Sequence, residues 1–136
     1  MCRGLLAARE AAVRGRLYEL PFGYPGLVVP GADARAVGTT DYLADVETQS
    51  RIQAGPQESS PGWETVYGEL FSFDDPEERL PAFDVLEGFR PGEESLYKRV
   101  LIPATLAETG AAIPAWTYVI ESASGLHLPG GRWPPP

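Results

Sequence analysis

Cysteine, histidine and methionine each occur once in these 136 residues. Cys2 has no internal partner for a disulfide and rules out a zinc site built on several cysteines. His127, standing alone, argues against a His-based metal centre or a Ser-His-Asp triad. Positive charge is also scarce. Eleven Lys and Arg stand against nineteen Asp and Glu, a net charge of −8. A nucleic-acid binder needs concentrated positive charge to meet phosphates, and docking on an anionic membrane needs the same. No apolar run approaches the ~18 residues of a membrane span, and Gly4–Ala8 is too short for the core of a secretory signal. The chain reads as cytoplasmic, with no nucleic-acid or membrane partner. Turn formers are what it has in quantity: fifteen glycines and fourteen prolines. They break the chain too often for a helix bundle and favour short strands.

Along the chain, Ala11–Leu20 alternates Val13, Gly15 and Leu17 with Arg14, Arg16 and Tyr18, the period of a strand. Gly15 inside it marks a bend or a close backbone approach. Leu5–Glu10 suits a helical turn. Pro21–Gly26 is a turn by composition, and Leu27–Val29 a short strand. Residues 32–62 read as a polar insertion with a weak helical stretch from Asp41 and a loop at Gly55–Gly62. Thr65–Phe73 is the clearest strand. Asp75-Pro76-Glu77-Glu78 carries a helix-start signal: an N-cap Asp to accept orphan amides, then Pro at the first helical position. Leu80, Phe83 and Leu86 follow at three-residue spacing. Pro81 should kink or restart the helix, and Gly88 should end it. Leu96–Ala104 and Ala115–Glu121 are further strands joined by a hairpin turn at Glu108–Ala112. Residues 129–136 form an extended tail, poorly ordered at its final prolines. The sum is one α+β domain over residues 1–136, with one main helix and a sheet able to curl into a small barrel.

No phosphate loop, dinucleotide fingerprint or metal-ligand spacing is present, which leaves carboxylates and tyrosines as the chemical groups. Glu87 stands out in Asp84-Val85-Leu86-Glu87-Gly88-Phe89. A helix C-terminus disfavours a further negative charge, and an apolar shell disfavours it more. Both would raise its pKa toward the range useful for proton transfer near neutral pH. A solvated glutamate beside a C-cap glycine is the competing reading. Tyr24 and Gly26 suit a pocket mouth, and Tyr97 and Tyr118 a pocket wall, against plain packing roles. Trp116 and Phe83 read as core. His127 and Trp133 either cap an opening or belong to a loose tail. Glu77-Glu78 complements a helix N-terminus.

Several pieces, in order, resemble the gamma-glutamylcyclotransferase-like family. They are Val13-Arg14-Gly15-Arg16-Leu17-Tyr18 with Gly23-Tyr24-Pro25-Gly26, Val66-Tyr67-Gly68-Glu69-Leu70-Phe71, Phe83 to Phe89, Tyr97-Lys98-Arg99, and Ala115-Trp116-Thr117-Tyr118. The resemblance spans roughly residues 11–133. It implies a small mixed β-barrel with short flanking helices. It also implies cyclisation of a gamma-glutamyl amine or dipeptide to 5-oxoproline with release of the amine, an intramolecular acyl transfer without a cofactor. Glu87 would be the general acid/base, with Tyr24, Pro25, Gly26, Tyr97 and Tyr118 about the substrate. Family members usually open with a strand ending in a Tyr-Gly-x-Leu loop that lends amides to the substrate carboxylate. No segment here supplies it. Residues 1–10 are then a truncated or misassigned start, or this member lacks that strand. The alternative function is non-catalytic binding of a small molecule on the same fold, and a third is a protein-interaction module using residues 32–62. An unpaired strand edge also invites a second copy of the chain.

Overall fold

A computed structural model describes residues 5–53 and 62–135. The Gly55–Gly62 loop falls almost wholly outside them. Among the described residues, seven strands and two α-helices follow in the order β1 (Leu5–Glu19), β2 (Pro25–Val28), a 3-10 turn at Gly31–Asp33, β3 (Ala36–Val37), α1 (Tyr42–Arg51), β4 (Glu64–Phe73), α2 (Pro76–Glu87), β5 (Lys98–Leu106), β6 (Ala112–Val119) and β7 (Leu126–His127). The architecture is α+β, as expected, with two corrections. Every strand pair is antiparallel rather than mixed, and the sheet does not close into a barrel.

β1 organises the sheet. Its first two-thirds pair with β4 from Leu5↔Phe73 to Gly15↔Glu64, and its last residues pair with β2 from Arg16↔Val28. The change of partner falls at Gly15, where a Cβ would sit 2.6 Å from the Val28 carbonyl oxygen. This is the close approach that only glycine permits. β1 therefore begins at Leu5, and Leu5–Glu10 is strand rather than helical turn. Leu, Ala, Arg and Glu favour helix alone, but ten ladder positions on β4 outweigh that weak preference.

A short bridge, Ala11↔Leu106 and Ala12↔Thr105, joins β1 to β5, which pairs along its length with β6. Closure would need a ladder between the outer edges of β4 and β6, and none forms among the described residues. Pro114 gives β6 no N–H to donate, and its carbonyl accepts from Gln49 Nε2 of α1 at 3.1 Å. On β4, the Tyr67 N–H donates to the Gly131 carbonyl at 2.8 Å.

That last bond belongs to a tail that is docked over residues 126–133. β7 pairs with the end of β1, and His127 Nε2 lies 2.8 Å from Glu64 Oε1. The Arg132 guanidinium lies 4.1 Å from the Tyr67 ring centroid. Gly131, at φ +68°, rests so close to the Thr65 backbone that a Cβ would come within 2.1 Å of its oxygen. Leu128 is buried with Leu17 and Val66, and Val13 and Leu27 join this cluster to a second made of Val100, Ile102 and Val119. Leu128→Ala should therefore cost about 2–5 kcal/mol in urea unfolding. A loss near zero would mean that the tail is dispensable to the core.

α2 is one helix. It runs unbroken through Pro81, which does not restart it: the bond Pro81 forgoes is to the Glu77 carbonyl, in a first turn held by Glu78 and Arg79 amides on the Asp75 carbonyl at 3.0 and 3.1 Å. The Asp75 side chain does not cap, because it takes Arg79 Nε at 3.1 Å. Gly88 closes the helix in the left-handed region, φ 70° and ψ 24°, with the Phe89 N–H donating to the Asp84 carbonyl at 2.9 Å. The inward face runs Leu80, Phe83, Asp84, Glu87. Leu86 turns outward instead of joining Leu80 and Phe83, since each three-residue step falls 60° short of a full turn. No helix among the described residues is long and apolar enough to cross a membrane.

Candidate active site

The inward face of α2 carries two carboxylates three residues apart, in opposite situations. Asp84 is buried and fully engaged. It accepts from Arg99 Nε at 2.8 Å and Nη2 at 3.2 Å, from the Tyr42 hydroxyl at 3.1 Å and from the Tyr118 hydroxyl at 2.5 Å. Four donors occupy the roughly four lone-pair positions of a carboxylate, leaving none for a substrate. Glu87 is half-buried, and no donor meets its carboxylate among the described residues. Burial raises its pKa above the ordinary carboxylate value, because a charge there loses water without gaining a partner.

Arg99 is the hub beneath them and is wholly buried. Besides Asp84, its Nη2 donates to Asp45 Oδ2 at 3.0 Å and to the Thr39 carbonyl at 3.1 Å. Its guanidinium lies 4.7 Å from the Trp116 ring centroid and 5.5 Å from that of Tyr42. Burial alone would lower the Arg99 pKa; hydrogen bonds and charge from Asp84 and Asp45 outweigh that and raise it. Gly38 admits the group, since a Cβ there would lie 2.6 Å from Arg99 Cζ. One cation thus ties α2, α1 and the residue 38–39 turn to β5.

Glu87 stands where two hollows meet. One, about 660 Å³, runs along β4, β6 and α2; the other, about 720 Å³, opens between the Phe22–Pro25 turn, α2 and the docked tail. Glu87, Tyr118, Tyr67, Val66 and Leu27 border both. The second hollow also brings in Tyr24, Pro25 and Tyr97, so five of the six expected site residues share one wall. Gly26 is buried behind that wall, where a Cβ would meet Ile120 Cδ1 at 2.7 Å. The Tyr97 hydroxyl donates to the Pro25 carbonyl at 2.6 Å, and its pKa is raised by burial and then by the Glu87 and Tyr24 charges. The Tyr118 pKa is raised by burial and then by its bond to Asp84. Both tyrosines are therefore protonated at neutral pH, their hydrogens directed away from Glu87's carboxylate. Trp133 lines the second hollow, and Phe83 and Trp116 the first, rather than forming core or a loose tail.

An unpaired carboxyl of raised pKa, at the junction of two cavities and backed by a rigid ionic cluster, is suited to moving protons on a bound molecule. Comparison with known proteins gives the family. The family model for gamma-glutamyl cyclotransferase, AIG2-like, matches residues 52–135, more than half of the chain. The chain belongs to this family. No curated protein and no solved structure matches it. The AIG2-like match takes in α2 with Asp84 and Glu87, β5 with Arg99 and β6 with Tyr118, and it begins after Tyr24 and Pro25. At family level the function is gamma-glutamylcyclotransferase-like.

The Asp84–Arg99–Asp45–Tyr42 cluster is what sequence reasoning missed. Its signal was an arginine leading directly into an apolar run, Arg99-Val100-Leu101-Ile102, and an aspartate at the buried spacing of α2.

Proposed function

We propose that the protein cyclises a gamma-glutamyl amine to 5-oxoproline, with Glu87 as the group that carries the proton. The observation that supports this reading most is the unpartnered, half-buried Glu87 carboxylate at the junction of two hollows, one helical turn from the saturated Asp84. In the reaction the substrate's α-amine attacks its own side-chain carbonyl carbon. A carbon–nitrogen bond to the α-nitrogen forms, and the one to the leaving nitrogen breaks. Glu87 takes a proton from the attacking nitrogen and delivers it to the departing one, so the protein ends as it began. Holding both ends of one molecule in a cavity supplies much of the rate through proximity. The chemistry calls for no cofactor, and a cytoplasmic setting goes with such a substrate.

Incubation of the full chain with gamma-glutamyl amides, followed by chromatography for 5-oxoproline and free amine in equal amounts, tests the reading. Thermal stabilisation by these amides with no product would favour a non-catalytic binding domain.

A further inference from the structure

The two hollows that meet at Glu87 differ in chemistry. The first has Gln49, Glu69, Ser72, Arg79 and Thr117 among its walls. The second is lined by tyrosines, Phe22, Trp133, Pro25 and aliphatic side chains, with Glu87 its one charged group and no Lys, Arg or His among the described residues. Its outer rim is largely aromatic and solvent-exposed, with one aliphatic member: Leu86 is 77% exposed, Tyr24 64%, Phe22 55% and Trp133 39%. These four side chains come from the turn before β2, the last turn of α2 and the docked tail. The Phe22 and Tyr24 ring centroids lie 5.6 Å apart. Large apolar side chains gathered round the mouth of a cavity, not scattered singly, mark a binding surface.

We infer that the amine released by this protein is an apolar one, of the arylalkyl or alkyl class, and that Phe22, Tyr24, Leu86 and Trp133 select it. The inference rests on the reading of Glu87 as the site of gamma-glutamyl cyclisation. A gamma-glutamyl group carries an ammonium and a carboxylate, and only the first hollow has charged side chains of both signs, Glu69 and Arg79, to receive them. With the scissile carbonyl at Glu87, the substituent on the leaving nitrogen then extends into the second. An amino-acid leaving group would bring its own carboxylate into a hollow whose lining holds no cation, the nearby Arg132 guanidinium being engaged over the Tyr67 ring. A phenyl or alkyl group would instead bury carbon against the four rim side chains.

The test compares gamma-glutamyl-2-phenylethylamide with gamma-glutamylalanine on the full chain. The expected kcat/KM ratio is at least about tenfold in favour of the phenylethylamide, since single methylenes in apolar pockets already give such factors. Phe22→Ala combined with Leu86→Ala should pull the ratio toward one, whereas Leu43→Ala, exposed on α1, should leave it unchanged. A second measurement needs no turnover. N-(2-phenylethyl)glutaramic acid lacks the α-amine and cannot cyclise; calorimetry should find it bound at least about tenfold tighter than N-glutarylalanine. Equal or reversed preference in either assay overturns the inference while leaving cyclisation intact. Absence of 5-oxoproline from both substrates, with the calorimetric preference retained, would overturn the cyclisation reading and support the apolar rim.

Discussion

Glu87→Gln is expected to lower kcat for 5-oxoproline formation by about 10²–10⁴, the usual contribution of a general acid/base, with little change in KM. Glutamine keeps the size and polarity of the side chain but cannot exchange the proton. The wild-type pH profile should carry the same signature. As the base, Glu87 acts when ionised, and burial raises its pKa. The acid limb of kcat/KM should therefore fall at a pH above the ordinary carboxylate range, and Glu87→Asp, if active, should move it. The stability effect has the opposite sense. A carboxyl whose folded pKa lies above its unfolded value favours folding when protonated, and that contribution fades as pH rises through the folded pKa. The variant should therefore match wild type at low pH and melt at a slightly higher temperature near neutrality. Turnover surviving the substitution, or an acid limb at the position of a solvated glutamate, would remove Glu87 from the mechanism.

The contrast between Asp84 and Glu87 explains how one helix face holds two carboxylates without confusing their roles. Asp84 is bound on all sides by Arg99, Tyr42 and Tyr118 and acts as an anchor. Glu87, three residues on, projects past the cluster into the hollows. Gly88 in the left-handed region ends the helix at once and turns Phe89 back into the interior. The final turn is thus fixed from below by ion pairs and from its end by a glycine cap, and the free carboxyl inherits that rigidity.

Much of this was legible in the residues and some was not, for identifiable reasons. Alternating patterns gave β4 to within one residue, and the glycine stop gave the end of α2. The position of Glu87 at the end of α2 was legible through the glycine stop, but its half-burial does not come from Leu86, which turns outward. The start of β1 was not, because Leu5–Glu10 has helical composition and only its pairing with β4 reverses that. The docked tail was hidden because Pro and Gly in Leu128–Trp133 suggest a loose segment; a tertiary contact, Gly131 on the Thr65 backbone, decides otherwise. The buried cluster was hidden most deeply. Hydrophobic patterning assigns charged residues to the surface, yet Asp84 and Glu87 fill inward positions of α2 that apolar side chains ordinarily take. The closed barrel was expected from the run of strands and from family resemblance alike, and it fails at the unjoined outer edges of β4 and β6.

Arg99→Met should be the most destabilising single change described here, costing about 3–5 kcal/mol, because it leaves Asp84 and Asp45 buried without their cation. That corresponds to a drop of about 10–20 °C in Tm for a domain of this size. Arg99→Lys should restore little, since an ammonium cannot present a planar fork to both carboxylates at once. Tyr118→Phe removes one of Asp84's four donors and should cost about 1–3 kcal/mol, with the fold retained. The network character is checked by a double-mutant cycle: Asp84→Asn with Arg99→Met should cost clearly less than the two single losses added together, because either change alone already leaves a buried charge unmatched. Additive losses, or an Arg99→Met variant melting within about 2 °C of wild type, would mean that the cluster does not hold the helices. If it does hold them, Arg99→Lys protein that remains folded should turn over more slowly than wild type while keeping the position of the acid limb. The proton-carrying group would be the same, set on a helix no longer fixed in place.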